Sequence, residues 1–294
     1  MSCHPAVHEP VDLARWIAQF PLDRHWKEIQ AQNGPDFWYN APDDIFSPRD
    51  LALTEQLRQR AGFQHHRDTK PVDVLLPAWG EPSVPFASKV GGVPYIRRGE
   101  WPLGQDGQPL VFHAQLCFAD SRDQLPVPEL PADVLLIFEE FGEEMDTEFP
   151  LSGLHFEWRE IGIPRKHLMQ AEDMPREPTW TPTHFHRFRS FESDETRSVD
   201  HPRGPIWVSG AYTATKIGGI PVHLQGAEEA EGLGIHLASL HSINPGDRDY
   251  PFPNLPQAPW KNPWDAGLLN FGDIGTLYLY VSAKGVICGL MQCS

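Results

Sequence analysis

A chain of 294 residues that is 40% hydrophobic and carries ten Trp has the material for a sizeable packed core, in one large domain or two. Its formal net charge of −16 repels phosphate backbones and anionic lipid, so nucleic acid and membrane surfaces are excluded as expected partners and a basic protein is favoured. Thirty Pro, roughly twice the usual share, work against long regular elements and favour many connections.

Met1 to Pro10 lacks the charged and apolar stretches of a secretory leader, and no run approaches the ~18 apolar residues that would span a bilayer. Cytoplasmic residence is the expectation. From Val11 to Phe20, Leu13, Trp16, Ile17 and Phe20 recur at three- and four-residue spacing, which predicts an amphipathic helix ended by Pro21. Ser47 as N-cap and Pro48 at the first helical position open a second helix that carries Leu51, Leu53, Leu57 and Ala61 to a stop at Gly62. Residues 1–70 therefore read as an N-terminal helical extension. Beyond it the pattern changes to short runs rich in Val, Ile, Leu, Phe and Tyr between turn residues. Val72–Leu76, Leu110–Phe118, Val134–Glu139, His155–Trp158, Ile206–Val208, Ile235–Leu240 and Thr276–Val281 are the predicted strands. Met169–Arg203 mixes Pro, His, Arg and acidic residues with little periodicity and reads as a linker. Pro245–Asp265, with six Pro and two Trp, reads as a packed loop.

Two segments echo each other: Lys89-Val-Gly-Gly-Val-Pro94 and Lys216-Ile-Gly-Gly-Ile-Pro221. A similar apolar run follows each, Phe112–Leu116 in the first copy and Ile235–Leu240 in the second. Matches in the same order predict an internal duplication. The expected fold is a β-rich α+β domain over 71–294, built as two duplicated, pseudo-twofold-related antiparallel lobes, about 71–168 and 204–294, that share one core and are joined by a linker over about 169–203. With Trp101-Pro102, Gly107–Leu110 and Phe271–Tyr278, the same segments resemble the YwqG-like bacterial family over roughly residues 75–294. That resemblance implies the fold and brings no catalytic residues with it.

The Gly pairs invite comparison with phosphate-binding loops, in which backbone N–H groups converge on an anion beside a Lys. Here the Lys precedes the glycines and Pro follows them, which is the wrong order for a nucleotide loop. The spacing instead predicts glycines at positive φ in a turn entering a strand, with Pro fixing the exit. Glu139, Glu140, Glu143, Glu144, Asp146 and Glu148 form an acidic run without the ligand spacing of a calcium loop; its sharper reading is a docking face for a cationic partner. His184-Phe185-His186 places two imidazoles on one face of a strand, but no zinc-type spacing accompanies the fourteen His or four Cys. Neither metal nor cofactor is expected. Cys117 lies within an apolar run, where a thiol is inert, no nucleophile elbow is present, and Asp273 between glycines suits a turn.

The leading expectation is a protein-binding protein of immunity or antitoxin type that neutralises a basic toxin, rather than an enzyme. The alternative is a small-ligand binder or enzyme whose cleft between the lobes gathers Lys89, Gln115, Lys216 and Asp273.

Overall fold

In a computed structural model, residues 7–33, 45, 47–127, 129–140, 153–176, 180–201, 204–243, 267–271 and 275–293 are described. Among the described residues three helices precede the first strand. The α1 helix (Leu13–Gln19) starts where the Asp12 side chain accepts the Arg15 N–H at 3.1 Å and ends before Pro21. The α3 helix (Pro48–Arg60) has the start read from the sequence: Ser47 Oγ accepts the Asp50 N–H at 3.1 Å and Pro48 opens the first turn. Between them α2 (Leu22–Asn33) was not legible, because Leu22 is its one fully buried apolar residue and most of its surface is polar. Gln56 of α3 fixes the α1–α2 junction, accepting the Leu22 N–H and donating to the Phe20 carbonyl, both at 2.9 Å.

Ten strands form one sheet: β1 (Lys70–Trp79), β2 (Lys89–Val90), β3 (Val111–Cys117), β4 (Val134–Glu139), β5 (Leu154–Arg159), β6 (Thr183–Glu192), β9 (Lys216–Gly218), β10 (Ile235–His241), β11 (Thr276–Val281) and β12 (Ile287–Gln292). The remaining pair, β7 (Thr196–Val199) and β8 (Ile206–Ser209), makes a separate two-stranded ribbon. At the sheet's centre β1 and β6 pair antiparallel over ten residues, from Lys70 opposite Glu192 to Trp79 opposite Thr183. Outward from β6 lie β2, β3, β4 and β5; outward from β1 lie β9, β10, β11 and β12. Each flank carries a β-bulge in its second strand, β3 or β10, between Phe112 and Ala114 against β4 and between His236 and Ala238 against β11.

All seven expected strands are present within a few residues of their predicted ends. The β-rich character is as expected: both flanks belong to one nearly closed sheet, and Leu116, Leu135 and Ile137 of one share a core cluster with Leu240, Leu277 and Leu279 of the other. One expectation is corrected. The segment expected to be an irregular bridge holds β6, a strand at the very centre, along with β7. The central strand was hidden because the face that buries Phe185 continues with Arg187 and Arg189. Charge there is tolerated because Asp73, fully buried on β1, takes Arg189 in a fork at 2.9 and 3.1 Å, while Asp120 lies 3.2 Å from Arg187.

The outer face of the centre is covered by the helices. Leu51 packs with Val72, Val74 and Leu76, while Leu22, Leu53 and Leu57 pack with Val199, Ile206 and Val208 of the ribbon. Arg58 of α3 anchors this contact. It is 2% exposed, donates to the carbonyls of Phe191 (2.7 Å) and Gly210 (2.5 Å), pairs with Glu55 at 3.0 Å and lies over the Tyr212 ring at 4.4 Å. Burial raises the Glu55 pKa against the lowering effect of Arg58. Arg58→Ala is expected to destabilise the protein by about 3–5 kcal/mol by leaving Glu55 and the carbonyls without their donor. Arg58→Lys should recover only part of that, since an ammonium cannot span the same acceptors. Urea unfolding of the two variants tests this; equal midpoints for wild type and Arg58→Ala would refute it.

Candidate functional site

Both Lys-x-Gly-Gly-x-Pro segments build the same object. Lys89 and Lys216 open β2 and β9, and the glycines leave the strand rather than enter one, which corrects the expected direction of the turn. The positive φ values are as expected: Gly91 and Gly92 at 61° and 68°, Gly218 and Gly219 at 75° and 69°. Two consecutive left-handed residues fold the chain back so that the lysine's own ammonium reaches the carbonyl two residues past the glycine dipeptide's start. Lys89 Nζ donates to Val93 O, and Lys216 Nζ to Ile220 O.

Into each hook a carboxylate inserts. Glu81 Oε2 lies 2.6 Å from Lys89 Nζ while its Oε1 accepts the Val93 N–H at 2.8 Å. Glu192 Oε1 lies 2.6 Å from Lys216 Nζ while its Oε2 accepts the Ile220 N–H. A Cβ on Gly92 would collide with the Glu81 carboxylate, and one on Gly219 with that of Glu192. The second glycine is thus required twice over, by its φ and by the anion lying against it. The motif is a carboxylate cradle: one ammonium, one backbone N–H and a side-chain-free floor. Burial lowers the pKa of both lysines, and the paired carboxylate works against that shift.

The two cradles differ in access. Lys216 and Glu192 are 1% and 0% exposed, and Glu192 Oε1 also accepts the Tyr212 N–H at 2.7 Å beneath α3. Lys89 is equally buried at 2%, but the Glu81 side chain is 42% exposed.

Of the residues expected in a ligand cleft, Lys89 and Gln115 lie opposite each other on β2 and β3. The Gln115 side chain is nevertheless committed to the backbone, accepting from Tyr95 N and donating to the carbonyls of Pro85 and Ala87 at 2.7 to 2.9 Å. Lys216 is held in its own cradle on the other flank, and Asp273 lies outside the described residues. In the acidic run, Glu139 turns to His113 Nε2 at 2.5 Å and Glu140 accepts the Gln105 N–H at 3.3 Å. Glu143, Glu144, Asp146 and Glu148 lie outside the described residues. His113 stands at the first bulge; because Trp180 Nε1 donates to its Nδ1 at 2.7 Å, its proton is on Nε2, toward Glu139. The His184 and His186 rings do lie together on β6, centroids 5.5 Å apart. Among the described residues no group of three or more His, Cys, Asp or Glu is arranged to hold a metal ion. Cys117 is buried, and burial pushes its thiol up to about 12.

Sequence reasoning missed Glu81 and Glu192. One precedes its lysine by 8 positions and the other by 24, so no constant spacing ties acid to motif. The one available signal was chemical: a Lys inside an apolar repeat needs an acid, without indicating which.

These features define a β-rich protein whose curled sheet is stapled on each flank by a lysine–carboxylate cradle. A family model described as a domain of unknown function, DUF1963, matches residues 88–285, a span holding both Lys-x-Gly-Gly-x-Pro segments, and the chain belongs to that family. No curated protein matches the chain. Among the described residues no helix is long and apolar enough to cross a membrane.

Proposed function

We propose that this chain is a cytoplasmic binding protein that captures a basic protein partner on its acidic exterior, in the manner of an immunity protein or antitoxin neutralising a cationic toxin. The observation that carries this reading is the placement of the cations. Lys89, Lys216 and Arg58 are buried, each against a carboxylate of its own, so these interior pairs are balanced. The chain as a whole carries −16, and exposed carboxylates among the described residues include Glu228, Glu229 and Glu231, and Asp194, Glu195 and Asp200. Complementary potential accelerates encounter with a basic partner and rejects acidic ones. The same reading takes the two flanks as products of a duplication related by a pseudo-twofold axis through the β1–β6 pair, and the family as the YwqG-like one. Mirrored strand order, matched bulges and matched cradles support that origin.

Affinity purification at low salt should recover a basic protein that dissociates as salt rises, because screening shortens the reach of exposed charges to ~8 Å near physiological ionic strength. With that partner, reversing Glu228, Glu229 and Glu231 to Lys should cut the association rate by about tenfold or more. Unchanged association rates in the reversed variant, or a partner with an acidic contact face, would overturn the reading.

A further inference from the structure

The unequal access of the two cradles bears on what the first one does. Both hold a carboxylate with the same groups, yet the second is sealed: Glu192 sits at the end of the central strand β6, fully buried, with the Tyr212 N–H as an additional donor and α3 packed over Tyr212 through Arg58 and Glu55. Glu81 instead follows β1 in the connection to β2 and keeps 42% of its side chain in solvent while its ammonium partner is 2% exposed. Among the described residues its carboxylate is bound through the Lys89 ammonium and the Val93 N–H. The backbone on either side is held independently of those bonds. Gly80 donates to Pro182 O and accepts from the His184 ring at 2.9 Å, and Pro85 and Ala87 are held by Gln115. Rotation of one side chain is therefore enough to empty the cradle, without unfolding the connection.

An emptied cradle is costly, since it leaves a buried ammonium with only the Val93 carbonyl to compensate it among the described residues. A second carboxylate entering as Glu81 leaves keeps the ammonium paired at every stage. The donors on offer, one ammonium and one backbone N–H beside the Gly92 floor, match a single carboxylate, so the entering group must be a carboxylate.

We propose that the Lys89 cradle is an exchangeable binding site for a small organic carboxylate, with Glu81 as the internal stand-in that occupies it in the free protein. The site is independent of the acidic docking surface: it takes an anion, on the opposite chemistry, and either assignment can fail without the other. The tethered Glu81 competes at high effective concentration, so a natural ligand must add contacts beyond its carboxylate.

Chemical rescue tests the site with the second cradle as control. Glu81→Ala should unfold at lower temperature than wild type, and sodium formate or acetate should raise its midpoint by several degrees, saturably, relative to the same concentration of sodium chloride. Glu192→Ala, whose cradle is sealed, should show no difference between formate and chloride. Should Glu81→Ala fail to fold in chloride, recovery of folded protein on refolding in formate reads the same interaction, and Glu81→Ser, which also vacates the cradle, is carried in parallel. Formate-specific stabilisation of the Glu81 variants alone supports the proposal. No formate-specific gain in either the midpoint or the refolding yield of the Glu81 variants, or an equal gain for Glu192→Ala, overturns it.

Discussion

Glu192→Leu is expected to destabilise the protein by about 3–5 kcal/mol, and adding Lys216→Met should return a large part of that loss. In the native protein Lys216 Nζ has three acceptors, Glu192 Oε1 at 2.6 Å, Tyr212 O at 2.8 Å and Ile220 O at 2.5 Å, and neither charged side chain reaches solvent. Removing the carboxylate leaves an ammonium that two carbonyl dipoles cannot compensate. Burial already lowers the Lys216 pKa, and without Glu192 the lysine is driven further toward its neutral form. Replacing both members with apolar groups removes the uncompensated charge. Recovery stays incomplete, because the Tyr212 and Ile220 N–H groups that Glu192 accepted from are still without an acceptor, at about 1–3 kcal/mol each. Urea unfolding of the wild type, both single variants and the double variant gives the coupling directly. A loss below about 1 kcal/mol for Glu192→Leu, or additive losses in the double variant, would contradict the cradle as a buried ion pair. The matching change at Glu81 should cost less, since water reaches that carboxylate.

The parts of this fold legible in the sequence are those whose signal is local. Ser47 and Pro48 announce α3 because capping acts within one turn, and Val134–Glu139 or Thr276–Val281 read as strands because apolar β-formers run without interruption. The hidden parts depend on distant compensation. The β6 strand looks like a charged linker until Asp73, 116 positions before Arg189, is placed beside it. The cradle glycines were readable as left-handed residues. Their floor was not, since the carboxylate resting on it arrives from a different strand or connection on each flank. The central pairing was hidden likewise, for β1 and β6 carry no common motif and are matched only by where they pair. Net charge was visible throughout, whereas the burial of Lys89, Lys216 and Arg58 was not.

Acid should unfold this protein earlier than its carboxylates alone would dictate, through two histidines of β10. His236 and His241 are 8% and 2% exposed, and their rings contact the hydroxyls of Ser239 at 3.0 Å and Thr276 at 2.5 Å. Burial, reinforced by the nearby Lys216 ammonium, holds their pKa values down to about 3 and about 4, from 6.5. As pH falls through about 6.5 the unfolded chain takes up two protons that the folded chain refuses, so the unfolded state gains. The full contribution to stability is present above pH 6.5 and is lost on acidification at about 1.4 kcal/mol per pH unit for each histidine. By pH 4.5 the combined loss is about 5 kcal/mol, at the lower end of total domain stability. Glu55 acts in the opposite sense, because its raised pKa favours the folded state as pH falls, but it is one group against two. Asp120, with a lowered pKa, weakens the fold as pH falls, in a lower window set by its ordinary value of 3.8. Urea midpoints measured from pH 7.5 to 4.5 should fall steeply for the wild type and much less steeply for a His236→Gln/His241→Gln variant, whose side chains do not titrate. Parallel curves for the two proteins would show that these imidazoles do not govern the acid limb.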